Sequence, residues 1–99
     1  MNHELLTLSS LVRRCPDVLF TPLNEELLAL DEASGHCYSL NEVAGQLWQW
    51  MENPQPIREL CARLQEEFQV ETQRCQREVL ELLEGLREAG LVEVEAHGA

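Results

Sequence analysis

Cysteine and histidine are among the residue types that could bind a metal or take part in nucleophilic catalysis. The cysteines are separated by long gaps and form no C-x-x-C pair, and no histidine belongs to a sequence motif that pairs it with a nucleophile or a metal-ligand set. A zinc site needs paired ligands two to four residues apart, so that one turn can hold the ion. We therefore expect reduced thiols, with no metal and no cofactor. The residues concerned are Cys15, Cys37, Cys61, Cys75, His3, His36 and His97.

Sequence motifs for nucleotide binding or hydrolysis are equally absent. The chain has no P-loop, no G-x-G-x-x-G, no G-x-S-x-G and no H-E-x-x-H. Its many glutamates recur at helix-surface spacing, which is typical of a solvated face. We expect a protein that is not an enzyme and has no catalytic residue. A small enzyme or a redox thiol protein remains an alternative, and Cys61 and Cys75 fall on apolar stripes, where a thiol usually acts as a small hydrophobic side chain.

The charge balance limits the possible partners. Seven basic residues, all arginine, face 18 acidic ones, for a net charge of -11 over 99 residues. Such a surface repels the phosphate backbone of nucleic acids and anionic membranes. No stretch approaches 18 apolar residues, and no secretory signal is recognisable. We expect a cytoplasmic protein that binds neither nucleic acid nor membrane; the acidity favours either solubility or the steering of a basic partner surface.

The elements that must position any site begin with three short strands. Val18–Leu23, Glu26–Asp31 and His36–Leu40 are rich in strand formers and are joined by tight turns, which predicts an antiparallel meander. Alternation places Tyr38 and Leu40 on one face, which we expect to be the core side. Residues 1–16 show no clear periodicity, and we expect them to form a variable N-terminal arm that is partly ordered at best.

Three helices should follow the meander. Asn41 is a good N-cap for the first, Pro56 fits the first turn of the second, and the third should start at Glu71 or Thr72 and end at Gly90. Each carries an apolar stripe at helical spacing. A short terminal strand over 91–94 and a tail over 95–99 complete the chain. The prediction is an α+β fold, winged-helix-like, with a three-stranded antiparallel sheet followed by a three-helix bundle, β-β-β-α-α-α.

This layout allows two interaction modes. A small winged-helix module could bind DNA or another protein, but the predicted third helix carries several glutamates beside its arginines, which disfavours a DNA groove. The strand His36–Leu40 would lie at a sheet edge and contains no proline or lysine, so its backbone could accept another extended chain. The residues alone leave open whether the third helix or the N-terminal arm covers this edge.

One stretch resembles the signature of the PqqD-like family, also called RiPP recognition elements, where RiPPs are ribosomally made peptides that are modified after translation. It reads Leu30-Asp-Glu-Ala-Ser-Gly-His-Cys-Tyr-Ser-Leu-Asn-Glu-Val-Ala-Gly-Gln-Leu-Trp48. The resemblance continues through Ile57-Arg-Glu-Leu60, through 68–70 and from 78 to 91. It covers about residues 17–94, which we take as the peptide-binding domain between the arm and the tail.

The resemblance implies that the leader segment of a precursor peptide adds as a fourth strand beside residues 36–40. It also implies a groove between that strand and the third helix. We expect one flank of this helix to line the groove, with Arg74 or Arg77 meeting an acidic leader residue and an apolar anchor near Leu82. The opposite flank, with Gln76, Leu80 and Arg87, stays open. The expected leader-binding residues are His36, Cys37, Tyr38, Ser39, Leu40, Arg74, Cys75, Arg77, Glu78, Leu82 and Gly85.

Gly85 lowers helix stability by about 1 kcal/mol relative to alanine. Close approach of a bound chain or tight internal contacts would each explain its presence.

Two departures from the family pattern matter. Glu71 stands where relatives often place an aspartate cap, so we expect a less firm helix start. The Pro-Glu-Gly turn of the pyrroloquinoline quinone member is missing, which indicates a relative of that protein.

The resemblance also implies partners. The domain would deliver its precursor peptide to a maturation enzyme, often a radical SAM enzyme and sometimes a peptidase or cyclase. Binding would raise the local concentration of the peptide at the active site of that enzyme. A homodimer formed through the same sheet edge is a further possibility.

Overall fold

The computed structural model describes residues 5–95. His3, His97 and positions 96–99 of the predicted tail lie outside the described residues. The order of elements is β-β-β-β-α-β-α-α-β. The bounds are β1 Leu11–Arg14, β2 Val18–Leu23, β3 Glu26–Asp31, β4 His36–Leu40, α1 Glu42–Trp50, β5 Gln55–Pro56, α2 Ile57–Phe68, α3 Thr72–Glu88 and β6 Val92–Glu95.

The predicted meander is confirmed. β2, β3 and β4 form an antiparallel sheet in chain order, and β3 pairs with β4 from Asp31 opposite His36 to Leu27 opposite Leu40. The turn between them is organised by Asp31, whose carboxylate accepts hydrogen bonds from Ala33 N (3.2 Å) and Ser34 Oγ (2.9 Å). Gly35 closes the turn at a φ of 78°, a conformation that favours glycine because a Cβ would clash there.

A second sheet corrects the predicted layout of one sheet followed by a bundle. β1 lies at its centre and pairs antiparallel with both β5 and β6, so we call β5-β1-β6 the terminal sheet. β1 falls within the segment predicted to be an arm that is partly ordered at best, and its Val12 is fully buried. The prediction failed for β1 because its partners lie more than forty residues away, so no local turn announces the pairing.

The three predicted helices are confirmed, with their caps. Asn41 Oδ1 accepts a hydrogen bond from Ala44 N (2.9 Å), and α2 begins directly after Pro56. The carboxylate of Glu71 accepts hydrogen bonds from Gln73 N (3.2 Å) and Arg74 N (2.9 Å). Glutamate therefore caps α3, contrary to the expected less firm start. Gly90 follows the helix at a φ of 81°, as a C-terminal glycine does.

The core lies between the meander, the terminal sheet and the helices. All three helices contribute to its largest fully buried side chains, and so do β1 and the segment before β6. Leu40 is buried and Tyr38 half-buried against this core, which confirms the predicted inner face of β4. None of the helices within residues 5–95 is long and apolar enough to cross a membrane. The fully buried set includes Trp48, Leu47, Met51, Ile57, Leu60, Leu83, Leu91 and Val12.

Candidate functional site

The candidate site begins at the edge of β4. Within residues 5–95, β4 pairs with β3 alone, so its second edge has no strand partner. Backbone N–H and C=O groups alternate in direction along a strand. Some of the N–H and C=O groups of β4 therefore point away from β3. β1 pairs with β5 and β6 and not with this edge. The edge is therefore chemically able to pair with another extended chain.

A groove of about 270 Å³ lies beside the end of β4. Its walls are mostly apolar and come from the start of α1, the end of α2, the α2–α3 connection and one flank of α3. A groove with apolar walls and few polar groups suits an apolar side chain or a short peptide segment. The lining residues are Asn41, Val43, Leu64, Phe68, Val70, Cys75, Glu78, Val79 and Leu82.

The structure brings three of the predicted α3 residues together in the groove wall: Cys75, Glu78 and Leu82. Arg74 lies on the same flank, where its Nε donates a hydrogen bond to Glu78 Oε2 at 3.0 Å. Both side chains of this pair are more than half exposed. An exposed ion pair of this kind contributes little to stability, so either partner can exchange for another charge at small cost.

The remaining predicted residues, including all five of β4, are not part of the groove lining. His36 and Tyr38 contact each other edge to face, with ring centroids 6.3 Å apart, and Cys37 and Ser39 alternate with them and are exposed. Arg77 is exposed on α3. On the opposite flank Leu80 packs against the core and Arg87 forms an ion pair with Glu84 at 3.7 Å.

Gly85 is exposed, and a Cβ built on it would meet nothing within 4 Å. Tight internal contacts therefore do not explain this glycine, which corrects one of the two readings of the sequence. The local helical backbone does not require it either, since its φ is not positive. Gly85 leaves a bare stretch of backbone on the exposed surface of α3.

Sequence reasoning missed six groove residues: Asn41, Val43, Leu64, Phe68, Val70 and Val79. Val43 belongs to the predicted apolar stripe of α1 but is 36% exposed. Phe68 ends the stripe of α2, and Val70 follows in the connection. The available signal was an apolar residue at or just beyond the end of a helical stripe, such as Phe68 or Val70. Such a residue has no further turn of its own helix beside it and can line a groove.

The buried thiols argue against a redox site in the core. Burial, and secondarily the neighbouring Cys75, raises the pKa of Cys61 to about 11. Burial likewise raises the pKa of Cys75, whose Sγ lies 3.7 Å from the Cys61 carbonyl oxygen. A nucleophilic thiol needs a lowered pKa, so both shifts run opposite to reactivity. Within residues 5–95 no group of three His, Cys, Asp or Glu side chains is arranged to hold a metal ion.

The fold and the groove define a small α+β domain with an open strand edge beside an apolar groove. The family model for coenzyme PQQ synthesis protein D (PqqD) matches residues 26–92, well over half of the chain. The chain belongs to the PqqD family. No curated protein matches the chain significantly.

Two solved structures share the fold. One is described as TbiB1 in complex with the TbiA(beta) leader peptide; it is 20% identical, has a TM-score of 0.78, and the match covers 86% of this chain and 99% of that one. The other is lasso peptide synthetase B1 complexed with the leader peptide, 23% identical with a TM-score of 0.74, covering 83% of this chain and 96% of that one.

Proposed function

We propose that this protein binds the leader segment of a ribosomally synthesised precursor peptide and delivers it to a modifying enzyme in peptide natural product biosynthesis. The observation that carries the proposal is the edge of β4, which has no strand partner within residues 5–95, together with the groove whose lining includes Asn41, the residue directly after β4. Membership of the PqqD family supports it, and so do the two solved structures of the same fold, each a leader-peptide complex.

In this proposal the leader adds to β4 as a fourth strand of the meander. Main-chain hydrogen bonds to His36–Leu40 supply affinity that depends little on sequence. Alternate side chains of an added strand point to opposite faces of the sheet. Every second leader residue therefore points towards the groove, where sequence preference arises.

The groove would accept an apolar anchor residue of the leader. Leu82 and Val79 on α3 face Val43, Leu64 and Phe68 across it. An aliphatic or aromatic side chain that fills this space removes apolar surface from water, and such anchors dominate peptide affinity. Gly85, one turn beyond Leu82 with nothing near its missing Cβ, fits close passage of the leader backbone.

Charge would then select the leader's orientation. Arg74 is exposed on the groove flank of α3 and exchanges its pairing with Glu78 at small cost, whereas Arg77 is exposed on another face of the helix. An acidic leader residue would meet Arg74. The bound core peptide remains outside the groove, so the modifying enzyme, of the radical SAM, peptidase or cyclase type, receives it at high local concentration. The domain itself has no part in the chemistry.

Calorimetric titration tests this function with three peptides from a candidate precursor encoded near the gene: the whole precursor, its leader alone and its core alone. We expect the leader to bind as tightly as the whole precursor, and the core alone to bind weakly. Equal affinity for leader and core, or no leader binding at high concentration, would contradict the proposal. A scrambled leader of the same composition serves as control for charge attraction.

A further inference from the structure

The outer face of the meander, which points away from the helices, is apolar and exposed. It consists of Leu19 and Leu23 on β2 and Leu28 and Leu30 on β3, with Cys37 on β4. Leu19 is 54% exposed, Leu23 50% and Leu30 37%. Soluble monomers rarely leave several large apolar side chains contiguous in water, and such patches usually mark a contact surface.

Register and contacts place these side chains together. Leu19 lies opposite Leu30, and Leu30 lies opposite Cys37, so the three form one cross-strand row. Thr21, Leu28 and Ser39 form the next row. Ser39 Oγ donates to Glu26 Oε1 at 2.6 Å, which shows that β3 and β4 present alternate residues on this same face.

Carboxylates border both ends of the outer face. Glu25 and Glu26 stand at the β2–β3 turn, while Asp17 and Glu32 stand at the other end of the same strands. No arginine or lysine occurs between residues 15 and 57. All the arginines therefore belong to β1, α2 and α3. Arg14 lies over the Phe20 ring at 4.7 Å on the inner face of β2, so the outer face itself is an apolar surface with an anionic border.

This charge pattern selects the occupant. A second copy would bring the same acidic border against itself, and two chains of net charge -11 repel each other. A partner whose own apolar patch is bordered by arginine or lysine would gain both burial and complementary charge. Complementarity thus favours a basic protein surface over self-association.

We propose that the outer face docks the modifying enzyme through an apolar patch bordered by basic side chains. This inference rests on the proposed leader-binding function and names the surface that the second partner uses. The groove lies on the inner side of the meander and the outer face on the opposite side. The groove and the outer face share no residue, so a leader anchored in the groove leaves Leu19, Leu23 and Leu30 available to the enzyme.

The test measures the affinity of the purified modifying enzyme encoded beside the gene, by biolayer interferometry without leader peptide. The variant L19E/L30E places two carboxylates on the outer face. We expect its enzyme affinity to fall by about tenfold or more. The matched control is L5E, which makes the same change at a leucine that is 79% exposed outside this face, and we expect it to bind like the wild type.

A second variant keeps the test independent of folding. E25R/E32R reverses two charges in exposed turns and leaves the apolar side chains in place. It should weaken enzyme binding, and the wild-type affinity should fall as sodium chloride is raised from 50 to 300 mM, by about threefold or more. Circular dichroism establishes that each variant is folded.

Three results would overturn the inference: no binding of the enzyme to the wild type, wild-type affinity in L19E/L30E, or a wild-type dimer in sedimentation that L19E/L30E abolishes. The last result would make a second copy the occupant. Leader affinity is measured separately on the same proteins and should change by less than about twofold in L19E/L30E. A wild type that binds the enzyme but not the leader would contradict the proposed function and leave the docking surface standing.

Discussion

The terminal sheet and the meander have the same number of strands and opposite designs. The terminal sheet joins distant segments, with Leu11 opposite both Pro56 and Glu95, and its central Val12 is fully buried. The meander is continuous in sequence; in the described part of the chain its β4 edge has no strand partner, and on its outer face Leu19 is 54% exposed. The difference separates stability from binding: one sheet closes the ends of the domain, while the other offers its edge and face to partners.

Hydrogen bonds and charge strengthen the closure of the terminal sheet. Cys15 N donates to the Leu91 carbonyl oxygen at 2.9 Å, and Arg13 Nε donates to Glu93 Oε1 at 2.8 Å. The segment before β1 adds a hydrogen bond from Ile57 N to the Ser10 carbonyl oxygen (3.0 Å). The start of α2 and both ends of the described chain are thereby held in one unit.

The largest expected effect on the free energy of unfolding comes from replacing an apolar residue by aspartate, once in each sheet. V12D places an unpaired carboxylate in the core and should lower the free energy of unfolding by about 3 kcal/mol or more. L19D makes a similar change on the exposed outer face and should alter it by less than about 0.5 kcal/mol. Urea denaturation measures both. Equal losses would contradict the division between a closed and an open sheet.

The next effect concerns the flank of α3 that lines the groove. L82A removes apolar surface from the groove wall and should weaken leader binding by about tenfold or more. L80A makes the same change on the opposite flank and should leave leader affinity within about twofold. Calorimetric titration of both variants decides the matter, and a larger loss in L80A would assign the leader to the other flank.

Cys15, which directly follows β1 of the terminal sheet, and Cys37 on β4 compare the surroundings of the two sheets by thiol reactivity. Burial raises the pKa of Cys15 from 9.0 to about 11, with Glu93 as the second cause, whereas Cys37 is solvent-exposed on β4. Because the thiolate is the nucleophile, Cys15 should react with a disulfide reagent at pH 8 about tenfold or more slowly than Cys37. C15S and C37S identify the two phases. Equal rates would contradict a protected terminal sheet.

The raised pKa of Cys15 also sets a pH dependence. The folded state holds this proton more tightly than the unfolded state, so the associated stability is present below pH 9 and is lost as the pH rises through about 11. Chemical denaturation of the wild type and C15S between pH 8 and 11 measures this difference. The wild type should lose more stability than C15S over that interval.

The smallest expected effect tests whether α3 keeps Gly85 for a bound chain. With nothing within 4 Å of its Cβ, G85A should raise the free energy of unfolding by about 0.5–1 kcal/mol. Leader affinity should fall at the same time. The control G90A forces a positive φ of 81° on alanine and should destabilise by about 1 kcal/mol. A stability loss in G85A would show that the glycine serves the free fold.

The two sheets also differ in how well the sequence predicts them. The bounds of β2, β3 and β4 follow from turn residues such as Asn24 and Gly35 and from strand formers between them, which are local signals. β1 and β5 are short, and their partners are distant in the chain, so they leave no local pattern. Because Gly90 marks where α3 ends, β6 was expected over 91–94. It lies at Val92–Glu95.

The candidate site was predictable in part for the same reason. Helical spacing placed Cys75, Glu78 and Leu82 on one flank, and the structure gathers all three in the groove wall. Val43 and Phe68 were missed because their stripes indicate burial, whereas tertiary arrangement leaves them at the groove. Which side of an amphipathic helix stays open depends on neighbouring elements, and periodicity alone does not specify those.

Leader capture by strand addition can be measured by an amide NMR titration with the leader peptide. We expect chemical-shift changes concentrated on His36–Leu40 and on the α3 flank around Leu82, with slowed hydrogen exchange at those β4 amides that point away from β3. The terminal sheet should remain unperturbed. Shifts confined to the terminal sheet, or none on β4 at a saturating leader concentration, would contradict leader capture by strand addition.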